Sequence, residues 1–300
     1  MNVCYTIADS IHRFRQRRKH GDKALRTNSL EDYWKWQFQT SPAYFAKFYD
    51  LTAKLQNATV IDIGCGLGGR TCYLAGLGVR NVIGVDINQA EVEQATNMKQ
   101  RLAGPEVTDK VQFKTVHEFT AADHKPAFDI ALLVDSLEHV LDPTAILNQA
   151  YELLHPGGIC YFSTWGWYHH QASHVSSIVP IPFATLFFSD KQILDAVRRI
   201  VEQEYYQPSM WDSNPPALRW QGIRSLHDRP GEYLNKFTIR RFRKAISASS
   251  FGDWQLKAEG FSSARHPRLA WFNFLSRVPI VQEIYHSALF GRLVKVPAPV

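Results

Sequence analysis

The sequence predicts an α/β fold: a mostly parallel sheet with helices covering both faces. Three observations carry that expectation. Val60-Ile61-Asp62-Ile63 runs into the turn Gly64-Cys65-Gly66-Leu67-Gly68-Gly69. A second apolar run, Val82-Ile83-Gly84-Val85, ends on Asp86. Short β-branched runs then alternate with amphipathic stretches as far as Phe162, the rhythm of strand–helix–strand units.

Each element has its own signal. Val60 to Ile63 suits a strand buried on both faces. Arg70 to Leu77 reads as a helix that Gly78 stops, and Val82 to Val85 as the second strand. Asn88 to Leu102 is a helix with Asn88 as its cap and Gly104-Pro105 as its end. Val111 to Val116 is the third strand and Phe128 to Val134 the fourth. Asp142 caps a helix from Pro143 to Leu154, with proline at its first position, and Gly158 to Thr164 is the fifth strand.

After Thr164 the rhythm breaks. Trp165 to Phe188 reads as a long structured loop, Ser189 to Gln203 as a helix, and the proline-rich Tyr205 to Tyr233 as an insertion. Thr238 to Ser250 is a helix, Trp254 to Glu259 a strand, and Phe290 to Val296 a final strand. Ahead of the sheet, Arg13 to Arg26 is polar, with mobility expected at its start. Glu31 to Phe38 and Tyr44 to Tyr49 crowd aromatics at helical spacing, which reads as core or lid packing.

Glycines in the first turn let the backbone bend sharply and lie against a ligand, and Asp86 stands where a carboxylate can accept both hydroxyls of a ribose. Gly64, Gly66 and Gly69 also satisfy a dinucleotide fingerprint, so an NAD(P)-dependent oxidoreductase is the alternative from another enzyme class. Asp62 argues against it, because a carboxylate there would face a pyrophosphate. A ligand carrying a sulfonium and an ammonium would favour Asp62.

At these residues the chain resembles class I S-adenosylmethionine-dependent methyltransferases. Asp62 to Gly68 looks like their first motif and Asp86 like their ribose-binding acid. Phe128 to Val140 is similar to their fourth strand and its exit, and Leu153 to Phe162 to the following turn and strand. Leu137-Glu138-His139-Val140 is similar to the same region in ubiquinone and menaquinone methyltransferases. Leu234 to Thr238 resembles the approach to the last helix of small-molecule methyltransferases.

The resemblance implies a Rossmann-like, seven-stranded, mostly parallel sheet. It also implies a division into an N-terminal helical lid (1–54), a cofactor core (55–165), a substrate loop with insertion (166–235) and a C-terminal completion of the sheet (236–300). The implied cofactor is S-adenosyl-L-methionine. Asp62, Gly64, Cys65, Gly66 and Gly68 would hold its methionine end, Asp86 its ribose, Ile87 and Glu118 its adenine, with Asp135 at the edge of the fourth strand.

The reaction implied is methyl transfer to a small organic acceptor, most readily a hydroxyl on a secondary metabolite, a sugar or a quinone-like ring. An alcohol or phenol needs a base at neutral pH. His139, His169 and His170 are the candidates, with His174 beside them. His170 and His174 have i, i+4 spacing, but no third ligand of matching spacing accompanies them, so no metal site is expected.

Composition bounds the partners. With 45% hydrophobic residues, 300 residues can bury a substantial core. A net charge of +6 permits an anionic partner without demanding one, and the runs Arg13 to Lys19 and Arg240 to Lys244 read as solvated helix faces. A nucleic-acid substrate is disfavoured: the position after the fourth strand is Asp135-Ser136-Leu137, and Asn214-Pro215-Pro216 reads as a turn. Cys4, Cys65, Cys72 and Cys160 form no C-x-x-C pair, which fits a reducing compartment. With no apolar run long enough to span a bilayer, the cytoplasm is expected. The aromatic segment Arg268 to Phe290 is expected to pack against the sheet; peripheral membrane contact, collecting a lipid-linked acceptor, is the alternative. Oligomeric state is left open.

Overall fold

In a computed structural model, residues 2–17, 29–120, 126–206, 220–227, 234–261 and 267–297 are described. Ten helices among these residues are α1 (Val3–Arg17), α2 (Leu30–Phe45), α3 (Leu51–Lys54), α4 (Gly69–Ala75), α5 (Gln89–Leu102), α6 (Pro105–Thr108), α7 (Pro143–Leu153), α8 (Ala184–Phe187), α9 (Asp190–Val201) and α10 (Ile239–Ser247). The strands are β1 (Thr59–Ile63), β2 (Asn81–Asp86), β3 (Val111–Thr115), β4 (Phe128–Val134), β5 (Leu154–Thr164), β6 (Asp253–Glu259) and β7 (Ala288–Val294).

They form one seven-stranded sheet in the order β3-β2-β1-β4-β5-β7-β6. β1 to β5 run parallel, and β7 inserts antiparallel between β5 and β6. Chain order therefore reverses between β1 and β4, which opens a crevice at their carboxyl ends. Asp62, the glycine turn, Asp86 and Asp135 all come to that edge.

Burial on two faces explains the apolar runs. Val60, Ile130, Leu132 and Tyr161 face a core that includes Phe45, Phe48 and Phe290. Ile61, Val85, Ala131, Leu133 and Phe162 face a second core with Leu147, Phe242 and Ile246. The helix starts follow their capping residues. Asn88 accepts from Ala90 N, Asp142 from Thr144 and Ala145 N, and Thr238 from Arg241 N. Ser189 and Gln192 close a reciprocal capping box.

One expectation needs correcting. Helix α1 continues through Arg17, so the basic run begins inside a helix despite its polar composition. This helix packs on α9: Cys4 and Ala8 lie in a third core with Ile193, Val197 and Trp220. Of the segment Arg268 to Phe290, expected to pack against the sheet, residues 288–290 enter β7 and the 3₁₀ helix Pro267–Arg277 lies against β6, while Trp271, Phe274 and Ile280 stay exposed. Most of the Tyr205–Tyr233 insertion, the Asn214-Pro215-Pro216 turn and the basic residues beyond Arg17 up to Arg26 lie outside the described residues.

Candidate functional site

The turn after β1 is shaped as much by protein neighbours as by room for a ligand. Gly64, Gly66 and Gly68 all have positive φ, which explains their identity. A Cβ on Gly69 would sit 2.6 Å from the Trp34 carbonyl oxygen and 2.8 Å from Gln37 Cβ, so α2 can cross the turn only there. Cys65 is buried, and burial raises its thiol well above the ordinary range. It is inert packing, not a nucleophile.

Asp62 is buried on β1 and accepts from the Thr71 hydroxyl at 2.6 Å through Oδ2, tying α4 to the strand. Burial pushes its carboxyl up to about 6. Its Oδ1 is shut off from solvent without a hydrogen-bond partner. Arg70, which the sequence marks only as the opening of a helix, presents the complement: its Nε is buried and likewise unpartnered. Buried polar atoms are costly to leave unmatched. An orphaned acceptor and an orphaned donor on either side of one turn suit a ligand end carrying both an ammonium and a carboxylate.

Asp86 shapes the turn from the other side. Its Oδ2 accepts from Gly66 N at 2.9 Å and its Oδ1 from Asn88 N at 2.9 Å. The carboxylate thus holds the glycine turn against the exit of β2, where a ribose diol would arrive. Ile87, next along, is 79% exposed, an apolar side chain left at the surface beside that position. Glu118 lies past the end of β3 and is exposed. Its Oε2 accepts from Thr115 N at 2.8 Å and from the Thr115 hydroxyl, and the backbone bond comes first in holding its carboxyl below the usual range. It closes a turn, a local task that the expectation at adenine did not include.

Asp135 sits at the exit of β4 with φ 51°. Its Oδ1 accepts from the Tyr44 hydroxyl at 2.6 Å and the Ser163 hydroxyl at 2.8 Å, and its Oδ2 pairs with Arg70 at 3.0 Å. The Arg70 guanidinium also lies 4.2 Å from the centre of the Tyr44 ring. Helix α2 is thereby latched to β4 and β5 across the crevice. By spacing alone Tyr44 is core or lid packing, and only its distant partners show the latch.

The histidines separate into two groups. His139 ends a 3₁₀ turn after β4, and its ring meets that of His174 edge-on at 4.9 Å. Glu138, His139 and His174 bring potential ligand atoms within 4.8 Å of one another. This third partner is invisible to spacing, since His174 comes from the loop after β5 and has φ 52°, not a helical conformation. The cluster is close enough to share a proton or hold a divalent cation. Glu138 is buried, its Oε2 accepting from the Thr164 hydroxyl at 2.7 Å while Oε1 is unpartnered. Burial, reinforced by Asp135, lifts its carboxyl to about 8.

His169 and His170 go elsewhere. His169 is buried, stacked on Trp165 at 5.1 Å, and burial followed by His170, His286 and His174 presses its imidazole down to about 2. Such a ring is held neutral near pH 7 and is a poor proton acceptor. His170 packs on Phe261 at 5.2 Å and is also lowered by burial. It belongs to the aromatic wall and does not join the Glu138 cluster. Beside that cluster is a small cleft, lined by Glu138, Trp165, Trp167, His174, Asn235 and Phe237 among others. Asn235 secures its rim by donating to the carbonyls of Leu137 and Val140.

Comparison with known proteins bears on this arrangement. A family profile described as a methyltransferase domain matches residues 5–245. The chain is 30% identical over 148 residues to a ubiquinone biosynthesis O-methyltransferase of Psychrobacter arcticus, covering 48% of this chain and 54% of that protein. A protein of the same name from Hydrogenovibrio crunogenus is 30% identical over 162 residues, covering 53% and 60%. The chain thus spans little more than half the length of these curated relatives. A solved S-adenosylmethionine-dependent methyltransferase from Mesorhizobium loti superposes with a TM-score of 0.50 at 17% identity, over 84% of this chain and 96% of that one. At that identity the likeness bears on the fold alone.

Proposed function

Because the chain belongs to the methyltransferase-domain family, in its class I S-adenosylmethionine-dependent branch, we propose that it transfers a methyl group to a hydroxyl on a small acceptor with an apolar ring or chain. The family match also sets aside the NAD(P)-dependent reading that the glycine pattern had kept open. The observation that carries the proposal is two orphaned buried atoms, Asp62 Oδ1 and Arg70 Nε, on the residues that flank the glycine turn. They fit the ammonium and carboxylate of a methionyl group, and a pyrophosphate would leave Asp62 opposed by like charge.

When bound, the cofactor supplies a methyl group already activated on a sulfonium. The protein's work is then alignment and proton management. Asp62 and Arg70 would grip the amino-acid end, Asp86 the ribose, and Ile87 and Glu118 the adenine side. The cleft beside Glu138 would hold the acceptor. Its aromatic lining suits a ring, but the enclosed space is only about 10 Å³, room for a single water, so the cleft must open to admit a ring.

Transfer to a hydroxyl would form a C–O bond as the S–CH3 bond breaks and would require the hydroxyl proton to be removed. His139 would take that proton, with His174 close enough to share it. The relatives' printed name includes O-methyltransferase, which supports oxygen as the acceptor atom. A screen with isotopically labelled cofactor against matched phenols, alcohols and amines tests this. Label on phenols or alcohols is the expected result. Label on amines alone would overturn the oxygen assignment, and no heat on titration with S-adenosylhomocysteine would overturn the cofactor assignment itself.

A further inference from the structure

The connection from β6 to β7 leaves the sheet at the ligand edge. Glu259 pairs with Ala288, and Leu289 pairs with Thr164, the last residue of β5. The base of this connection is tied to the acceptor side of the molecule. His286 Nε2 accepts from Gly166 N at 3.2 Å, and Phe261 packs between His170 and Tyr285. Its outer part is different. Trp271, Phe272, Phe274 and Ile280 are 80%, 51%, 61% and 86% exposed, and Val278 and Ile284 are also exposed. A contiguous stretch of such side chains marks an interaction surface.

Charge narrows the partner. From Gly260 to Gln282 the sequence contains Arg265, Arg268 and Arg277 but no Asp or Glu. Arg268 and Arg277 are exposed. The first acid beyond them, Glu283, is already engaged by the backbone N–H groups of Ile239 and Arg240 at the start of α10. Tryptophan and phenylalanine flanked by arginine, without acids, suit the boundary between acyl chains and anionic headgroups. The 3₁₀ segments Pro267–Arg277 and Val281–Glu283 would lie in that plane, and among the described residues no helix is long and apolar enough to cross a membrane.

We propose that residues 267–284 seat the protein on an anionic lipid bilayer, with the acceptor cleft turned toward the surface. That orientation would let an apolar acceptor pass from lipid to the cleft without crossing water, and this part rests on the acceptor reading above. The bilayer contact itself stands on exposure and charge.

The test is co-sedimentation of the full chain with phosphatidylcholine vesicles, with and without phosphatidylglycerol. The wild-type protein should pellet with the anionic vesicles. Trp271→Ser with Ile280→Ser should lower partitioning about tenfold or more, since two apolar anchors are lost. Arg268→Gln with Arg277→Gln should lower it by roughly fivefold per arginine and erase the preference for anionic lipid. Both double variants should keep wild-type affinity for S-adenosylhomocysteine, which also shows that they fold.

A wild-type protein that stays in the supernatant with both vesicle types overturns the proposal. So does a serine variant that folds and pellets like wild type. A wild-type dimer in light scattering that the serine variant dissociates, without vesicle binding, would assign the surface to a second copy instead. Vesicle binding with no heat from S-adenosylhomocysteine would uphold the surface while sinking the cofactor reading. Labelled transfer to hydroxyls without vesicle binding would do the reverse.

Discussion

The two sides of the ligand edge are built by different means. On the cofactor side, Asp62, the glycine turn, Arg70 and Asp86 lie within 25 consecutive residues, on β1, β2 and the connection between them. On the acceptor side, Glu138, Trp165, His174, Asn235 and His286 come from distant parts of the chain. Local geometry makes the first and long-range packing makes the second. Changes on the cofactor side should therefore strike binding of one defined ligand. Those on the acceptor side should strike turnover, pH response and stability together.

The harshest test of that contrast is Gly66→Val. With φ at 52° and Glu91 Oε2 only 3.2 Å from where a Cβ would sit, a branched side chain cannot keep the turn. Titration with S-adenosylhomocysteine should show no measurable binding, while circular dichroism shows the fold retained. Wild-type affinity would mean that the turn does not face the cofactor.

Next is His139→Ala. Loss of a general base should reduce turnover by about 10²–10⁴ without changing cofactor affinity. His169→Asn should have far less effect on turnover, because its imidazole is already held neutral. Equal losses in the two variants would erase the separation of the histidines made by the structure.

Asp62→Asn and Asp86→Ala should each weaken S-adenosylhomocysteine binding by about 1.5–3 kcal/mol, the range for a lost charged hydrogen bond. Calorimetry of both variants would sharpen the comparison: an effect at Asp86 alone would make Asp62 a structural tie to Thr71. Tyr44→Phe should cost a smaller amount, about 0.5–1.5 kcal/mol of folding stability, by removing one hydroxyl from Asp135.

Stability against pH separates the two sides again. His169 and His286, pressed down to about 2 and about 4 chiefly by burial, are kept neutral in the fold. Their contribution is complete above the ordinary value of 6.5 and is lost as pH falls below it. Glu138 acts in the opposite sense. With its carboxyl raised from 4.5 to about 8, the folded protein binds the extra proton, so stability falls as pH rises through that window. Between pH 6.5 and 8 the decline due to Glu138 should stand apart, and Glu138→Gln should flatten it in melting curves recorded with a chelator present. An unchanged slope would show that Glu138 is ionised throughout.

Much of this is readable along the chain. Strands and caps are, because β-branched runs, Asn88, Asp142, Ser189 and Thr238 act on neighbours within a few residues. The cofactor turn is readable for the same reason. Arg70 escapes such a reading because its role depends on Asp135 and Tyr44, 65 positions ahead of it and 26 behind. His174 stands out as a candidate but cannot be matched to His139, since spacing says nothing about a loop that folds back after β5. The aromatic stretch Arg268 to Phe290 invites the expectation of packing on the sheet, which its end in β7 meets, while Trp271, Phe274 and Ile280 face outward. Hydrophobicity alone cannot tell a buried segment from an exposed one when no period marks a covered face.

The sequence by itself determined the sheet, the glycine turn and the acids at its edge, because short-range sterics and backbone hydrogen bonds specify them. Only the tertiary structure decided which histidines meet, which carboxyl is held protonated and which aromatic surface is left bare. Those outcomes depend on desolvation and distance between residues remote in the chain, and neither quantity is written in local order.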